Sequence, residues 1–203
     1  MKLKVCGMRE EDNLLQLIDL QPHFIGLIFH KNSSRNVTEA INISTPESIS
    51  LTGVFVDESE EFILEKVDQY NLKAIQLHGN ESPEFCKKMQ DKGLNVLKAF
   101  NINDKFDFST IETYHGHCAY FLFDAFGKKA GGNGITFNWE LLANYNGTTP
   151  FLLSGGIDGD MARRIKKINH PLFKGVDINS KFELKPGLKD IEKIKLFKQK
   201  LES

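Results

Sequence analysis

A few places in the chain hold side chains whose chemistry outweighs their packing value: Cys6, Arg35, His78, Asp124, the run Ser154-Gly155-Gly156, and Asp177 followed by Asn179 and Ser180. A thiol two residues beyond a lysine, Lys4, can be drawn from its free value of about 8.5 toward the thiolate and then serve as a base. A carboxyl group can deliver a proton, and a guanidinium grips a carboxylate through two parallel bonds. Adjacent glycines let backbone N–H groups approach an anion, and a helix starting near Asp158 would add its positive end. Side chains of these kinds suit proton transfer on a small phosphorylated molecule.

Each residue alone has a plainer reading. A lone cysteine at a strand end is more often a small buried hydrophobe, the class to which Cys86 and Cys118 are assigned. His78 before Gly79 reads first as a loop hydrogen-bonding residue, Arg35 as a surface charge, and a glycine pair as an ordinary turn. Joint placement decides between the readings, so the elements that carry these residues matter.

Short apolar runs alternate with amphipathic ones along the whole sequence. Strands are predicted at 2–6, 24–29, 51–56, 73–77, 95–100, 120–123, 151–153 and 172–178. Helices are predicted from Asp12 or Asn13 to Pro22, at 59–70, at 82–92 entered through Pro83, from Asp158 through Ile168, and from Lys189 with apolar positions 191, 194, 197 and 201. Weaker helical patterns cover 37–43 and 104–114. The sixth unit is distinctive: a strand ends on Asp124, and a loop carries Gly127, Lys128, Lys129, Gly131, Gly132 and Gly134. Thr136 then caps a segment with Phe137, Trp139, Leu141 and Leu142.

Eight strand–helix units predict an α/β fold, a single-domain (βα)8 TIM barrel with a parallel eight-stranded sheet spanning residues 1–203; an open doubly wound sheet is the alternative. In a barrel all the chemical residues above fall at the carboxyl ends of strands, around one mouth, with the loops after strands seven and eight as the phosphate site. Strand parity puts Lys4 and Cys6 on one face, so an inward Lys4 requires a carboxylate, Asp177 or Asp124.

The chain has 203 residues, 40% of them hydrophobic, and a formal net charge of −1. Such a balance gives no basic field for nucleic acid or an anionic membrane. Three cysteines without ligand spacing argue against a disulfide framework and against a metal site, and fit a reducing, cytoplasmic setting. No apolar run approaches membrane-spanning length.

The motifs KVCGM, IQLHGNES, LFDAFGKKAGGNGITFNW, LLSGGI and GVDINSKFELKPGLKD, in this order, resemble those of the phosphoribosylanthranilate isomerase family over nearly the whole chain. The resemblance implies an Amadori rearrangement in tryptophan biosynthesis, without cofactor or metal, by a monomer or homodimer. It implies Cys6 as general base and Asp124 as general acid. Arg35 would meet the anthranilate carboxylate; Gly155, Gly156, Asn179 and Ser180 would bind phosphate, and Asp177 is counted with the substrate-binding group. The sequence departs from the family pattern around Arg35 (SSRNV), at Asn179 and Lys181, and at Asn133 and Asn138. A histidine-pathway isomerase would be expected to carry a carboxylate in place of Cys6, and a non-catalytic phosphate-ligand binder would need neither proton-transfer group.

Overall fold

Strands that read as near-continuous apolar runs are strands buried on both faces, and a computed structural model pairs all eight in parallel. It describes residues 1–39, 41–125 and 139–203. The strands are β1 (Lys2–Cys6), β2 (Phe24–Ile28), β3 (Ser50–Phe55), β4 (Ala74–Leu77), β5 (Asn95–Ile102), β6 (Tyr120–Ala125), β7 (Phe151–Ser154) and β8 (Phe173–Ile178). They hydrogen-bond in sequence order, and β8 returns to β1 to close the barrel. The closed barrel, not the open sheet, is therefore the fold.

Helices α1 (Glu11–Asp19), α2 (Glu60–Tyr70), α3 (Pro83–Asp91), α4 (Ala162–Ile165) and α5 (Ile191–Glu202) lie along the chain between and after the strands. Ser59 and Ser82 cap α2 and α3 by accepting the Phe62 and Phe85 N–H groups, and Asp190 does the same for α5 through Lys193. The α5 residues Ile194, Phe197 and Leu201 are buried, as their spacing predicts. Alternating strand parity separates two apolar clusters: an extensive one that includes buried residues of both strands and helices, and a small one of Phe24, Ala74, Leu97, Ala99, Leu122 and Leu152.

Three expectations are corrected. The described residues of 37–43 contain no helix: the Val37 N–H bonds Ile28 O, and Ile28 bridges Asn36, so the chain runs on beside β2. The segment 104–114 holds a 3-10 helix only at Phe108–Tyr114. Asp158 does not cap a helix, because its carboxylate bonds the Asp160 N–H two residues on and α4 begins only at Ala162. A hairpin of β9 (Glu183–Lys185) and β10 (Leu188–Lys189), turning through Pro186-Gly187, was not anticipated. The predicted loop 126–133 and the Thr136 cap lie outside the described residues, while Trp139–Asn144 forms a 3-10 turn. Among the described residues no helix is long and apolar enough to cross a membrane.

Candidate active site

Parity aims Lys4 and Cys6 inward from β1, where β8 lies in register and sets Asp177 opposite Lys4. Lys4 Nζ donates to Asp177 Oδ1 at 3.0 Å, with the lysine fully enclosed. Asp177 Oδ2 accepts the Ser154 hydroxyl at 3.2 Å, so both carboxylate oxygens have protein partners. Burial pulls the Lys4 ammonium down, but the charge of Asp177, helped by Cys6, more than offsets it and leaves the group above its usual value.

Cys6 ends β1 with its side chain almost sealed from solvent. Burial pushes its thiol up; Lys4 pulls it down, Asp177 pushes it up and Lys189 pulls it down, and burial prevails. The lowering expected from Lys4 alone is therefore outweighed. Opposite the thiol, Gly26 on β2 leaves room that no other residue would, since a Cβ there would sit 2.9 Å from Sγ. Gly26→Ala is expected to displace the thiol and cut kcat by about 10²-fold, the cost of roughly an ångström of misplacement. Steady-state kinetics with unfolding controls would check it.

Asp124 lies near the end of β6, in register with Ser154 on β7, and is partly exposed. It sits close enough to Asp177 to push that carboxyl up, a minor addition to the effect of burial. His78 Nε2 lies 3.3 Å from Asp124 Oδ2, and Gln76 Nε2 lies 2.7 Å from His78 Nδ1. The Gln76 amide thus engages Nδ1 while Nε2 faces the Asp124 carboxylate. The His78 loop is pinned from below: buried Lys98 donates to Leu77 O, Gly79 O and Glu81, while Glu81 accepts the N–H groups of Asp57 and Gly79.

Arg35 does not stand in solvent. Its Nε and Nη2 donate to the two oxygens of Glu183 at 2.8 and 2.6 Å, leaving Nη1 for another acceptor. Glu183 also accepts from Lys189 Nζ at 2.6 Å and from the Gly187 N–H. Sequence reading missed both Glu183 and Lys189; the Pro186-Gly187 turn, which folds one toward the other, was the available signal. Burial opposes the charge on Glu183, but the bonds from Arg35 and Lys189 win and hold its carboxyl at about 2. A carboxyl depressed in this way stabilises the fold fully above the usual value of 4.5 and loses that contribution as pH falls toward 2. Glu183→Gln is expected to flatten the acid limb of stability across that window, read by urea unfolding at stepped pH.

Gly155 and Gly156 follow β7 with φ of +90° and +64°, in the left-handed region, and a Cβ at Gly156 would meet nothing within 4 Å. Consecutive N–H groups in such a turn form a concavity suited to anions. The four-residue α4 begins too far on to add the helix end that the sequence suggested. After β8, Asn179 precedes the short 3-10 turn Ser180–Phe182, with Ser180 exposed and the Asn179 side-chain oxygen bonded to Lys189. Among the described residues no group of three or more His, Cys, Asp or Glu is placed to hold a metal ion.

A closed parallel barrel whose strand ends gather thiol, carboxyl, imidazole and guanidinium groups defines a (βα)8-barrel enzyme. The family model described as N-(5'phosphoribosyl)anthranilate (PRA) isomerase matches residues 3–200. The N-(5'-phosphoribosyl)anthranilate isomerase of Parabacteroides distasonis is 45% identical, covering 99% of this chain and 93% of its own. The phosphoribosyl anthranilate isomerase structure from Thermotoga maritima superposes with a TM-score of 0.87 at 29% identity, covering 100% of this chain and 98% of that one. A further structure, of the isomerase in complex with reduced 1-(o-carboxyphenylamino)-1-deoxyribulose 5-phosphate, gives 0.84 at 27% identity, with 100% and 98% covered. The chain belongs to the N-(5'-phosphoribosyl)anthranilate isomerase family.

Proposed function

We propose that this barrel, acting as one domain over residues 1–203 in the cytoplasm, converts N-(5-phosphoribosyl)anthranilate to 1-(2-carboxyphenylamino)-1-deoxyribulose 5-phosphate with Cys6 and Asp124 moving the protons. The observation that carries the assignment of roles is that β1 and β6 bring the thiol and the carboxyl to one mouth, with the Lys4–Asp177 pair in electrostatic reach of both.

Asp124, with His78 beside it, gives a proton to the ribose ring oxygen; the C1–O bond breaks and the nitrogen lone pair forms a C1=N Schiff base carrying positive charge. That charge acidifies the C2 proton and favours a thiolate beside it, which counters the burial that pushes the Cys6 thiol up. Cys6 removes the C2 proton, and the electrons form C1=C2 while C1=N returns to C–N. The enolamine then gains a proton at C1 and loses one from the C2 hydroxyl, giving the ketone.

In this reading Arg35 takes the anthranilate carboxylate on Nη1. The N–H groups around Gly155 and Gly156, with Asn179 and Ser180, hold the phosphate. Asp177 reaches the substrate by exchanging the Ser154 hydroxyl for a sugar hydroxyl. The test is direct: purified protein should make the fluorescence of the anthranilate-derived substrate decay. A trace equal to the spontaneous background would overturn the assignment.

A further inference from the structure

The Lys189 ammonium is buried at the mouth, yet the reaction above assigns it nothing. Its Nζ donates to Asn179 Oδ1 at 2.7 Å and to Glu183 Oε1 at 2.6 Å. Its backbone is fixed as well: the Lys189 N–H donates to Asn13 Oδ1 at 2.7 Å, and its carbonyl accepts from Asn13 Nδ2 at 3.0 Å. The cluster wraps the turn that follows the thiol. Gly7 there has φ of +77°, and a Cβ on it would meet Arg35 Cδ at 2.7 Å and Asn179 Oδ1 at 2.8 Å.

The charged groups facing Cys6 come from several elements: Lys4 on β1, Asp177 on β8, Lys189 on β10, and Arg35 after β2. Lys4 and Asp177 form a contact pair, so the pull of Lys4 on the thiol is opposed by the push of Asp177. Arg35 and Lys189 share the single carboxylate of Glu183, and one positive charge is left over. This second cluster therefore adds a surplus positive charge beside the thiol to the opposed pull of Lys4.

We propose that Lys189 and Glu183 are positioning residues for the isomerisation, Lys189 supplying the surplus positive charge that draws Cys6 toward thiolate and Glu183 holding Arg35 so that Nη1 meets the substrate carboxylate. This rests on the acid/base reading above, in which Cys6 is the base and Arg35 the carboxylate partner.

The ultraviolet absorbance of the Cys6 thiolate across pH, taken as the difference between each protein and its Cys6→Ser counterpart, reports the buried thiol's titration without turnover. Lys189→Met and Lys189→Gln should each raise the midpoint by about one pH unit, and the rising limb of kcat/KM should move with it. Glu183→Gln removes the opposing charge, so its midpoint should fall; its KM should rise about tenfold as Arg35 loses a charged anchor. Opposite shifts from neighbours in one cluster are not what loosened packing produces. Unchanged midpoints, midpoints that all move one way, or failure of all three variants to fold would overturn the proposal. Retained turnover in Cys6→Ser would sink the acid/base reading alone, because the absorbance midpoints still decide what Lys189 does to the thiol.

Discussion

Cys6→Ser and Asp124→Asn are each expected to lower kcat by about 10³-fold while leaving affinity for a product analogue nearly intact. Serine fits the space that Gly26 leaves beside Sγ, so the pocket keeps its shape. Its hydroxyl, however, is far less acidic than a thiol and cannot form the anion that removes the C2 proton. Asparagine keeps a polar group within reach of His78 but has no proton of comparable acidity to give the ring oxygen. The groups proposed to grip phosphate and anthranilate stand on β7, β8 and the segment after β2, apart from either change. Turnover within tenfold of wild type in both variants would remove Cys6 and Asp124 from the mechanism.

Lys4→Met should be the most destabilising single change at the mouth, costing about 3–5 kcal/mol. The lysine is fully enclosed and its partner Asp177 nearly so, at 3.0 Å. Methionine fills the volume but abandons Asp177 with only the Ser154 hydroxyl for company. The penalty belongs to the stranded carboxylate more than to the lost attraction, so Lys4→Met combined with Asp177→Asn should recover most of the loss. Urea unfolding midpoints at constant slope would measure the cycle. A single variant within about 1 kcal/mol of wild type would mean that the pair carries no buried charge.

All eight strands were legible because parallel strands covered on both faces must be apolar at nearly every position, a pattern with little competition at that length. The Lys4–Asp177 contact was one of the two pairings that strand parity left open. The crossovers were harder. Residues 37–43 hold Thr38 and Asn42 among scattered apolar positions, and a backbone bond to β2 outweighs whatever helical tendency they have. Asp158 has the composition of a cap but spends its carboxylate on a local turn.

At the mouth, residues at strand ends could be named because the architecture assigns their location. Glu183 and Lys189 could not: charged residues in a Lys-rich terminal stretch read as surface, and only the hairpin and Asn13, 176 positions away in sequence, bury them. The titration of Cys6 failed for a related reason. A neighbouring lysine is visible in a sequence, whereas the burial that outweighs it and the aspartate that opposes it are properties of the closed barrel.

Strand β8 and the hairpin behind it place Asp177, Asn179, Glu183 and Lys189 within residues 173–189, whereas the groups they serve, Lys4, Cys6, Asn13 and Arg35, all lie in the opening fifth of the chain. A ribosome therefore delivers the thiol long before anything that neutralises the lysine beside it or orients the arginine. During synthesis the half-made polypeptide carries an ammonium with no counter-ion, which favours keeping β1 hydrated and unpaired on that edge. Competence then arrives in one step when the closing strand docks, and a chain stalled before residue 173 is inert instead of being a sluggish version of the finished catalyst.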